Sequence, residues 1–386
     1  MLKTDSKRKR SILTLGGTIT YSRNSFRGAD EQSRQYLKDV YHATSICPVD
    51  DYLGTSNLPF RMTCNAALKV ARIALDCPTL AVAEEHVSEA FGTIVSDDRI
   101  RQILLFIARI LRKEKESIIA NVLENYSPAN VVIEKRRGRP SNNAYFLCME
   151  VTQFRESIFI CRTYKVSCLD GAISRKHLNY SYSTVSEYKK VLLSEALLHG
   201  LETARKLIVI TDGTDNVNDL CKEVFPYAEY IISLLALGQQ VLTLGTQVVK
   251  HYSNQEYRIN LFYKYAMKHI ESGNWEKIFT MDEIRRHTET PSLTKAIHAF
   301  TDYMERNRKL MTYDIFLQRG YPIGHEIPSE EQALFEAEKL SIATRLWSRD
   351  LISDYLLLYS EYLSGDWYSH VVPLVRKSYA TSIEPI

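Results

Sequence analysis

The sequence predicts an α/β protein whose core is a mixed β-sheet with flanking helices. Two observations favour this class. In the middle of the chain, short apolar runs rich in strand formers alternate with amphipathic helical segments, whereas the stretch beyond about Leu235 has mainly helical periodicity. The 386 residues are enough for two or three domains, and 45% hydrophobic with 25% charged residues is ordinary for a globular protein.

The chain begins with a basic β-hairpin. In SILTLGGTITYS, residues 11–22, apolar and polar residues alternate on both sides of a Gly-Gly pair, which is typical of two strands joined by a tight turn. We expect residues 23–62 to be irregular, because Pro48, Gly54 and Pro59 punctuate them.

A helical region follows, from Thr63 to about Asn125. Its segment 79–104 predicts one helix that stops at Gly92 and a second that is capped by Ser96. This is the outline of a helix-turn-helix, in which the second helix enters the major groove of DNA, although any αα-hairpin gives the same pattern. Asp97 and Asp98 suit the helix dipole but would face phosphate if that end docked on DNA.

The central part of the chain predicts the sheet. Three strands, a helix, a strand, a helix and a further strand follow one another, which is the element order of an RNase H-like sheet. In order, these elements are 131–134, 144–152, 157–168, the helix 185–205, the strand 206–213, the helix to about residue 224 and the strand 230–233.

Asp212 is the best single candidate for a functional residue. It ends the short apolar stretch KLIVITDG, residues 206–213, and a helix follows. This arrangement puts a carboxylate at the carboxyl end of a strand, where ligands and metals bind in open α/β folds. The alternative is an aspartate that only caps the next helix. The histidines, including His199, show no spacing typical of a metal site, and we expect most of them at the surface.

Three basic patches, rather than the net charge of +3, would have to carry any affinity for nucleic acid. A solvated charged face is the alternative for each patch. The stretch KRRGRP also matches the core of an AT-hook, which binds the minor groove of A·T-rich DNA, whereas a basic turn explains its Gly and Pro equally well. The candidate DNA-binding residues are Lys7, Arg8, Lys9, Arg10, Arg99, Arg101, Lys135, Arg136, Arg137 and Arg139.

The seven cysteines are scattered and form no CxxC pair, which argues against zinc sites and a disulfide framework, so several are expected to be core residues. No apolar run is long enough for a membrane helix. We therefore expect a cytoplasmic, nucleoid-associated protein without a membrane partner. The stretch DYLLLYSEYL, residues 354–363, is typical of a core helix or a dimer face, so a homodimer stays open.

Several motifs occur along the chain in one order, the most specific being YMERNRKLMTYDIFLQRGYPIG at 303–324. With them, the chain resembles the RNase H-like transposases of the Kra-type insertion sequences over nearly its whole length. The other matching motifs are RKRSILTLGGTITYSRNSFR (8–27), YLG (52–54), RTYKVS (162–167), KLIVITDG with a downstream Phe225-Pro226, and YLSGDW (362–367).

The resemblance implies a DDE mechanism, in which three carboxylates hold two Mg²⁺ or Mn²⁺ ions for phosphodiester displacement. The second acid matches Asp212. The first position appears in this sequence as Arg136, whose guanidinium would repel a metal ion, and the third as Ser329. Rescue would require Glu134, two residues before Arg136 on the same strand face, together with Glu330 or Glu331.

These observations predict a DNA-binding protein of transposase descent whose active site is degraded, with double-stranded DNA as its partner. An active transposase and a structural scaffold without a nucleic-acid role are the alternatives. In the degraded case, a salt bridge between Arg136 and Asp212 is expected in place of the metals. The expected domains are the hairpin and irregular region 1–62, the helix-turn-helix region 63–127, the sheet core 128–235, a helical insertion 236–300 and a helical part 301–386 that completes the core.

Overall fold

The chain is described by a computed structural model, which covers residues 1–41, 44–52, 61–126, 144–154, 157–250, 252–285, 290–323 and 348–380. It forms two compact units with mixed α/β content. The first unit comprises Met1–Ser117 together with Glu331–Ile386, and the second comprises Ile118–Glu330. This division differs from the predicted domains, because the last part of the chain belongs with the N-terminal region rather than with the sheet core.

The predicted N-terminal hairpin is confirmed, and it is longer than the alternating pattern indicates. Strands β1 (Leu2–Thr14) and β2 (Gly17–Gly28) pair antiparallel around a tight turn, with Thr14 opposite Gly17. A two-residue strand, β3 (Ser45–Ile46), extends the sheet beside β2.

The expectation that residues 23–62 are irregular is wrong for most of the described part. Besides the end of β2, this stretch contains helices α1 (Glu31–Tyr41) and α2 (Pro48–Tyr52). Helix α1 buries only Ser33 and Leu37 within an otherwise polar sequence. Its apolar stripe is therefore too narrow to stand out as helical periodicity.

The predicted pair of helices in the region 79–104 is confirmed. Helix α4 (Leu80–Phe91) ends at Gly92, whose φ of 62° is the left-handed conformation that glycine adopts most easily. The next helix begins after Ser96, whose hydroxyl accepts from the Arg99 N–H. The other helices of the first unit are α3 (Cys64–Asp76), α5 (Asp97–Glu124, as far as Ser117), α13 (Arg349–Leu363) and α14 (Val372–Ala380), with a π turn at Trp367–Val371 before α14.

The second unit is built on a mixed five-stranded sheet. Its spatial order is β6-β5-β4-β7-β8, in which β5 runs antiparallel to β4 and β6, while β7 runs parallel to β4 and β8. In chain order the strands are β4 (Tyr145–Phe154), β5 (Ile158–Ser167), β6 (His177–Tyr182), β7 (Lys206–Thr211) and β8 (Glu229–Ile232).

Four of the predicted strands correspond to β4, β5, β7 and β8, whereas the predicted strand 131–134 lies outside the described residues. Strand β6 is not predicted, because its sequence, HLNYSY, has few strongly apolar residues and lies at an edge of the sheet. The described sheet therefore opens with β4, which the sequence pattern makes the second strand. The strand that opens the described sheet therefore carries Glu150.

Alternate residues of the central strands enter two separate cores. Cys148, Ile208 and Ile210 pack beneath one group of helices, whereas Leu147, Met149 and Val209 contact the group on the other face. The first group contains α8 (Leu234–Val249), α9 (Gln255–Glu271) and α11 (Pro291–Asn307), with α10 (Asp282–Arg285), α12 (Tyr313–Gln318) and the 3₁₀ turns Trp275–Thr280 and Arg308–Leu310 beside them; the second contains α6 (Val185–Leu198) and α7 (Asp215–Val224).

All seven cysteines carry free thiols, and Cys77, Cys148, Cys161 and Cys221 are buried, so the prediction that several are core residues is confirmed. The stretch 354–363 falls in α13, where Leu356 and Tyr359 are fully buried, so it forms a core helix. Within the described ranges, no helix combines the length and the apolar character needed to cross a bilayer.

Candidate functional site

Asp212 directly follows β7, at the carboxyl end of this parallel strand, as predicted. Its carboxylate is half-buried, and Oδ1 accepts hydrogen bonds from the Thr214 N–H at 2.9 Å and from the Thr214 hydroxyl at 2.7 Å. These bonds close a turn that leads into α7, which begins at Asp215. The capping alternative is thus correct in part: Asp212 shapes the entry to the helix with one of its two oxygens.

The backbone around Asp212 is held by α11. The Tyr303 hydroxyl donates to the Asp212 carbonyl at 3.0 Å, and the Asn307 side-chain amide donates to the Gly213 carbonyl at 3.2 Å. Gly213 has a φ of 82°, and a Cβ there would lie 2.5 Å from the Tyr303 hydroxyl. Burial and the nearby Asp212 charge raise the pKa of Tyr303, so this phenol stays a neutral donor.

A second carboxylate, Glu150, stands on the neighbouring strand β4. Glu150 is paired in register with Ile210, and Asp212 follows two residues later on β7. Because side chains alternate along a strand, Glu150 and Asp212 project from the same face of the sheet, with their Cα atoms about 8 Å apart. The register thus places the two acids on neighbouring strands, Glu150 within β4 and Asp212 directly after the end of β7.

Two residues of β5, Tyr164 and Arg162, bind the Glu150 carboxylate. The Tyr164 hydroxyl donates to Glu150 Oε1 at 2.8 Å, and Arg162 Nη1 lies 3.7 Å from Oε2. The Glu150 side chain is 16% exposed, so this ion pair is only partly screened by water. A further cation, Lys176, lies over the Tyr164 ring, 5.0 Å from its centroid.

Glu150 was not among the predicted acids, because the sequence pattern makes β4 the second strand. The available signal was a single acid within the apolar run AYFLCMEVT, residues 144–152. The other candidate acids, Glu134, Glu330 and Glu331, lie outside the described residues, and so does Arg136. The expected contact between Arg136 and Asp212 therefore also falls outside them. Among the described residues near Asp212, Arg162 forms an ion pair with Glu150.

Strand alternation divides the basic run at the N-terminus. Lys7 and Lys9 are exposed on one face of β1, whereas Arg10 points to the other face, is 12% exposed and forms an ion pair with Asp50. Arg8 lies in β1, but its side chain is outside the described residues. Among the described side chains of this run, Lys7 and Lys9 can therefore contact phosphate, whereas Arg10 is bound to Asp50.

The start of α5 is less basic than the sequence pattern suggests. Arg99 is exposed, but Arg101 forms an ion pair with Asp98, and the Asp97 N–H donates to Glu84 Oε2 at 3.1 Å. Three carboxylates therefore surround the helix end that would enter a DNA groove, which disfavours close approach of phosphate there. The basic residues Lys135, Arg136, Arg137 and Arg139 lie outside the described residues.

A third cluster was not expected from the sequence. Among the described side chains, His177, Glu195 and His199 form the one group of three potential metal ligands whose donor atoms lie within 4.8 Å of one another. The expectation that the histidines build no metal-type arrangement is wrong for this pair, because β6 and α6 bring together residues that are distant in sequence.

The described residues thus include a carboxylate pair on one face of the sheet, the exposed lysines Lys7 and Lys9 on the hairpin and a His-Glu-His cluster beside α6. No relative supplies a function for any of these features. Comparison of the chain with protein-family models and with curated proteins finds no match.

Proposed function

We propose that this chain is a DNA-binding protein of insertion-sequence transposase descent, with an RNase H-like core whose metal chemistry is impaired. One observation carries the proposal: the sheet order β6-β5-β4-β7-β8, with one acid within β4 and another directly after the adjacent strand β7. The resemblance implies carboxylates after the opening strand and after the fourth strand of such a sheet. Asp212 corresponds to the second of these positions, and Glu150 takes the place of the first if β4 is the opening strand, although it lies within that strand rather than after it.

The surroundings of Glu150 support impaired catalysis. A pair of divalent ions needs several carboxylate oxygens that are directed at the metals. Here Tyr164 binds one oxygen of Glu150 and Arg162 neutralises the other, while Thr214 binds Oδ1 of Asp212. A metal ion would have to displace Arg162 and compete with its positive charge.

The hairpin supports DNA binding. Lys7 and Lys9 project from one face of β1, opposite Asn24 and Ser22 of β2, so that face is polar and carries two cations. Consecutive outward residues of a strand lie about 6.6 Å apart, which is close to the spacing of adjacent phosphates along one DNA strand. We therefore assign the principal phosphate contact to the hairpin rather than to the acidic start of α5.

The first test is the salt dependence of duplex binding. The slope of log K against log salt is negative, and each phosphate contact contributes about −0.9 to it. Lys7→Ala/Lys9→Ala should therefore make this slope less negative by about 2. The matched control is Lys222→Ala/Lys268→Ala, which removes two exposed cations from the second unit and should leave the slope unchanged. Binding is measured by fluorescence anisotropy. If the chain does not bind the duplex, or if its affinity does not depend on salt, the DNA-binding proposal is contradicted and a scaffold is favoured.

Metal-dependent DNA cleavage is the second candidate function, and the shared face of Glu150 and Asp212 favours it. If the site is impaired, nicking of supercoiled DNA in Mg²⁺ or Mn²⁺ should be no faster for the wild type than for Asp212→Ala. Asp219→Ala, on the exposed face of α7, is the matched control. Cleavage that persists in this control but disappears in both Asp212→Ala and Glu150→Gln would establish an active enzyme.

A further inference from the structure

The His-Glu-His cluster lies where an edge strand begins and a helix ends. His177 is the first residue of β6, Glu195 lies in the last turn of α6, and His199 is the C-cap of that helix. Glu195 and His199 are four residues apart and so share one helix face. Tyr188, Leu192 and Ala196 anchor α6 in the core beneath it, which fixes the helix against the sheet.

Two of the three distances between the donor atoms match those of a tetrahedral zinc site. Zinc binds imidazole nitrogen and carboxylate oxygen at about 2.0–2.2 Å, so neighbouring ligand atoms lie about 3.3–3.5 Å apart. Glu195 Oε2 is 3.2 Å from His177 Nδ1 and 3.5 Å from His199 Nε2. One donor atom of each of the three residues lies within 4.8 Å of the other two, and rotation of an imidazole ring about its side-chain torsions adjusts the edge between the two rings.

The environment orients the carboxylate for such a role. Asn179 donates its side-chain amide to Glu195 Oε1 at 2.8 Å, which leaves Oε2 facing the two histidines. A hydrogen bond to the oxygen that does not face the metal fixes the direction of a carboxylate ligand. The Glu195 side chain is 6% exposed, whereas His199 is 28% exposed, so an ion can enter from the His199 side.

We propose that His177 Nδ1, Glu195 Oε2 and His199 Nε2 bind one transition-metal ion of the zinc class, with water in the fourth position. Two imidazoles and one carboxylate suit Zn²⁺, Co²⁺ or Ni²⁺, whereas Mg²⁺ requires oxygen ligands. The ion cross-links the edge strand β6 to α6.

This site is separate from the carboxylate pair. His177 is in register with Thr163 of β5, and Thr163 is in register with Met149 of β4, so His177 lies two strands away from β4 and on the face that buries Met149. Helix α6 also packs on the face opposite to the one that carries Glu150 and Asp212. The proposed ion is therefore independent of any metal used for DNA cleavage.

The test is titration of the chelator-treated full chain with Co²⁺ and then Zn²⁺. We expect one equivalent of Co²⁺ to give the visible d–d bands of a tetrahedral site without a thiolate charge-transfer band, and Zn²⁺ to remove these bands. At a free Zn²⁺ concentration near one hundred times Kd, the unfolding temperature of the second unit should rise by about 5 °C.

Variants identify the ligands. His199→Ala and His177→Gln should each weaken Co²⁺ binding by at least about tenfold, and Asn179→Ala by about tenfold through the carboxylate it orients. His269→Ala, on α9, is the matched control. Circular dichroism of each metal-free variant separates loss of the site from loss of the fold. If the folded wild type gives no Co²⁺ spectrum, or if the spectrum is unchanged in His177→Gln/His199→Ala, the cluster is hydrogen-bonded and has no metal role. DNA binding through Lys7 and Lys9 is measured in the separate anisotropy experiment, so failure of one proposal does not decide the other.

Discussion

Asp50→Ala is expected to destabilise the N-terminal hairpin by about 3 kcal/mol, because removing one partner of a buried ion pair leaves the other charge buried without compensation. Asp50 is 2% exposed, and its carboxylate binds Arg10 of β1 and Arg23 of β2. The Tyr21 hydroxyl also donates to Asp50 Oδ1 at 2.5 Å. One side chain thus joins both hairpin strands to α2, and its removal leaves two partly buried guanidinium groups without this counter-charge.

The measurement is hydrogen exchange of the β1 and β2 amides, which reports local opening free energies. Asp39→Ala is the matched control, because Asp39 is exposed on α1 and should change stability by no more than about 0.5 kcal/mol. Arg10→Met/Arg23→Met added to Asp50→Ala should restore part of the loss, since an apolar replacement removes the uncompensated charges. Wild-type exchange in Asp50→Ala would show that the ion pairs contribute nothing.

The second large effect is a dependence of the first unit's stability on pH. Glu361 is 2% exposed; it contacts Lys115 at 2.7 Å and His370 Nδ1 at 2.7 Å. His370 Nε2 lies 2.7 Å from Glu114 Oε2, so one protonated imidazole donates to two carboxylates. Burial raises the pKa of Glu361, but the His370 hydrogen bond and the Lys115 charge outweigh it and lower this pKa to about 2.

The hydrogen bond to Glu361, opposed by burial, raises the pKa of His370 from 6.5 to about 9. A histidine whose pKa is higher in the folded than in the unfolded state stabilises the fold when it is protonated. Its contribution should therefore be complete below pH 6.5 and lost as pH rises through about 9. The lowered pKa of Glu361 acts in the other direction, and its contribution should be complete above pH 4.5 and lost as pH falls towards about 2. Stability should therefore be highest between these windows.

We expect the free energy of unfolding of the first unit to fall by about 1–2 kcal/mol between pH 6.5 and 9, a figure that allows for solvent screening of the partly exposed imidazole. His370→Gln should flatten this decline, whereas His298→Gln, an exposed residue of α11, should not. In a Trp275→Phe/Trp347→Phe background the remaining tryptophan is Trp367, which is buried in the first unit, so urea unfolding of this unit can be followed by fluorescence. An unchanged slope in His370→Gln would contradict the assignment.

Local pattern was sufficient for many elements. The alternation in residues 11–22, the stop at Gly92 and the apolar runs of β4, β5, β7 and β8 all predicted elements that the structure contains. Asp212 was also placed correctly at the end of β7, because a short apolar strand followed by Asp-Gly is itself a local signal. The helix α1 and the edge strand β6 were missed, since each buries too little apolar surface to produce a clear periodicity.

The candidate site was predicted only in part. The sequence pattern made 131–134 the opening strand and Arg136 the residue at the first acid position, and these residues lie outside the described part of the chain; Glu150 received no role because β4 was counted as the second strand. Arg10 was grouped with Lys7 and Lys9 because a run of cations does not show which of its members face inward. The pairing of Glu150 with Ile210, and hence its position beside Asp212, depends on the register between β4 and β7.

The sequence by itself determined the α/β class, most of the elements and the position of Asp212, because hydrogen bonding and side-chain periodicity within an element depend on consecutive residues. Only the tertiary structure decided that Asp50 joins Arg10 to Arg23, and that His177 meets Glu195 and His199. These groups come from separate elements, and their meeting depends on strand register and on how a helix packs against a sheet, which no local pattern records.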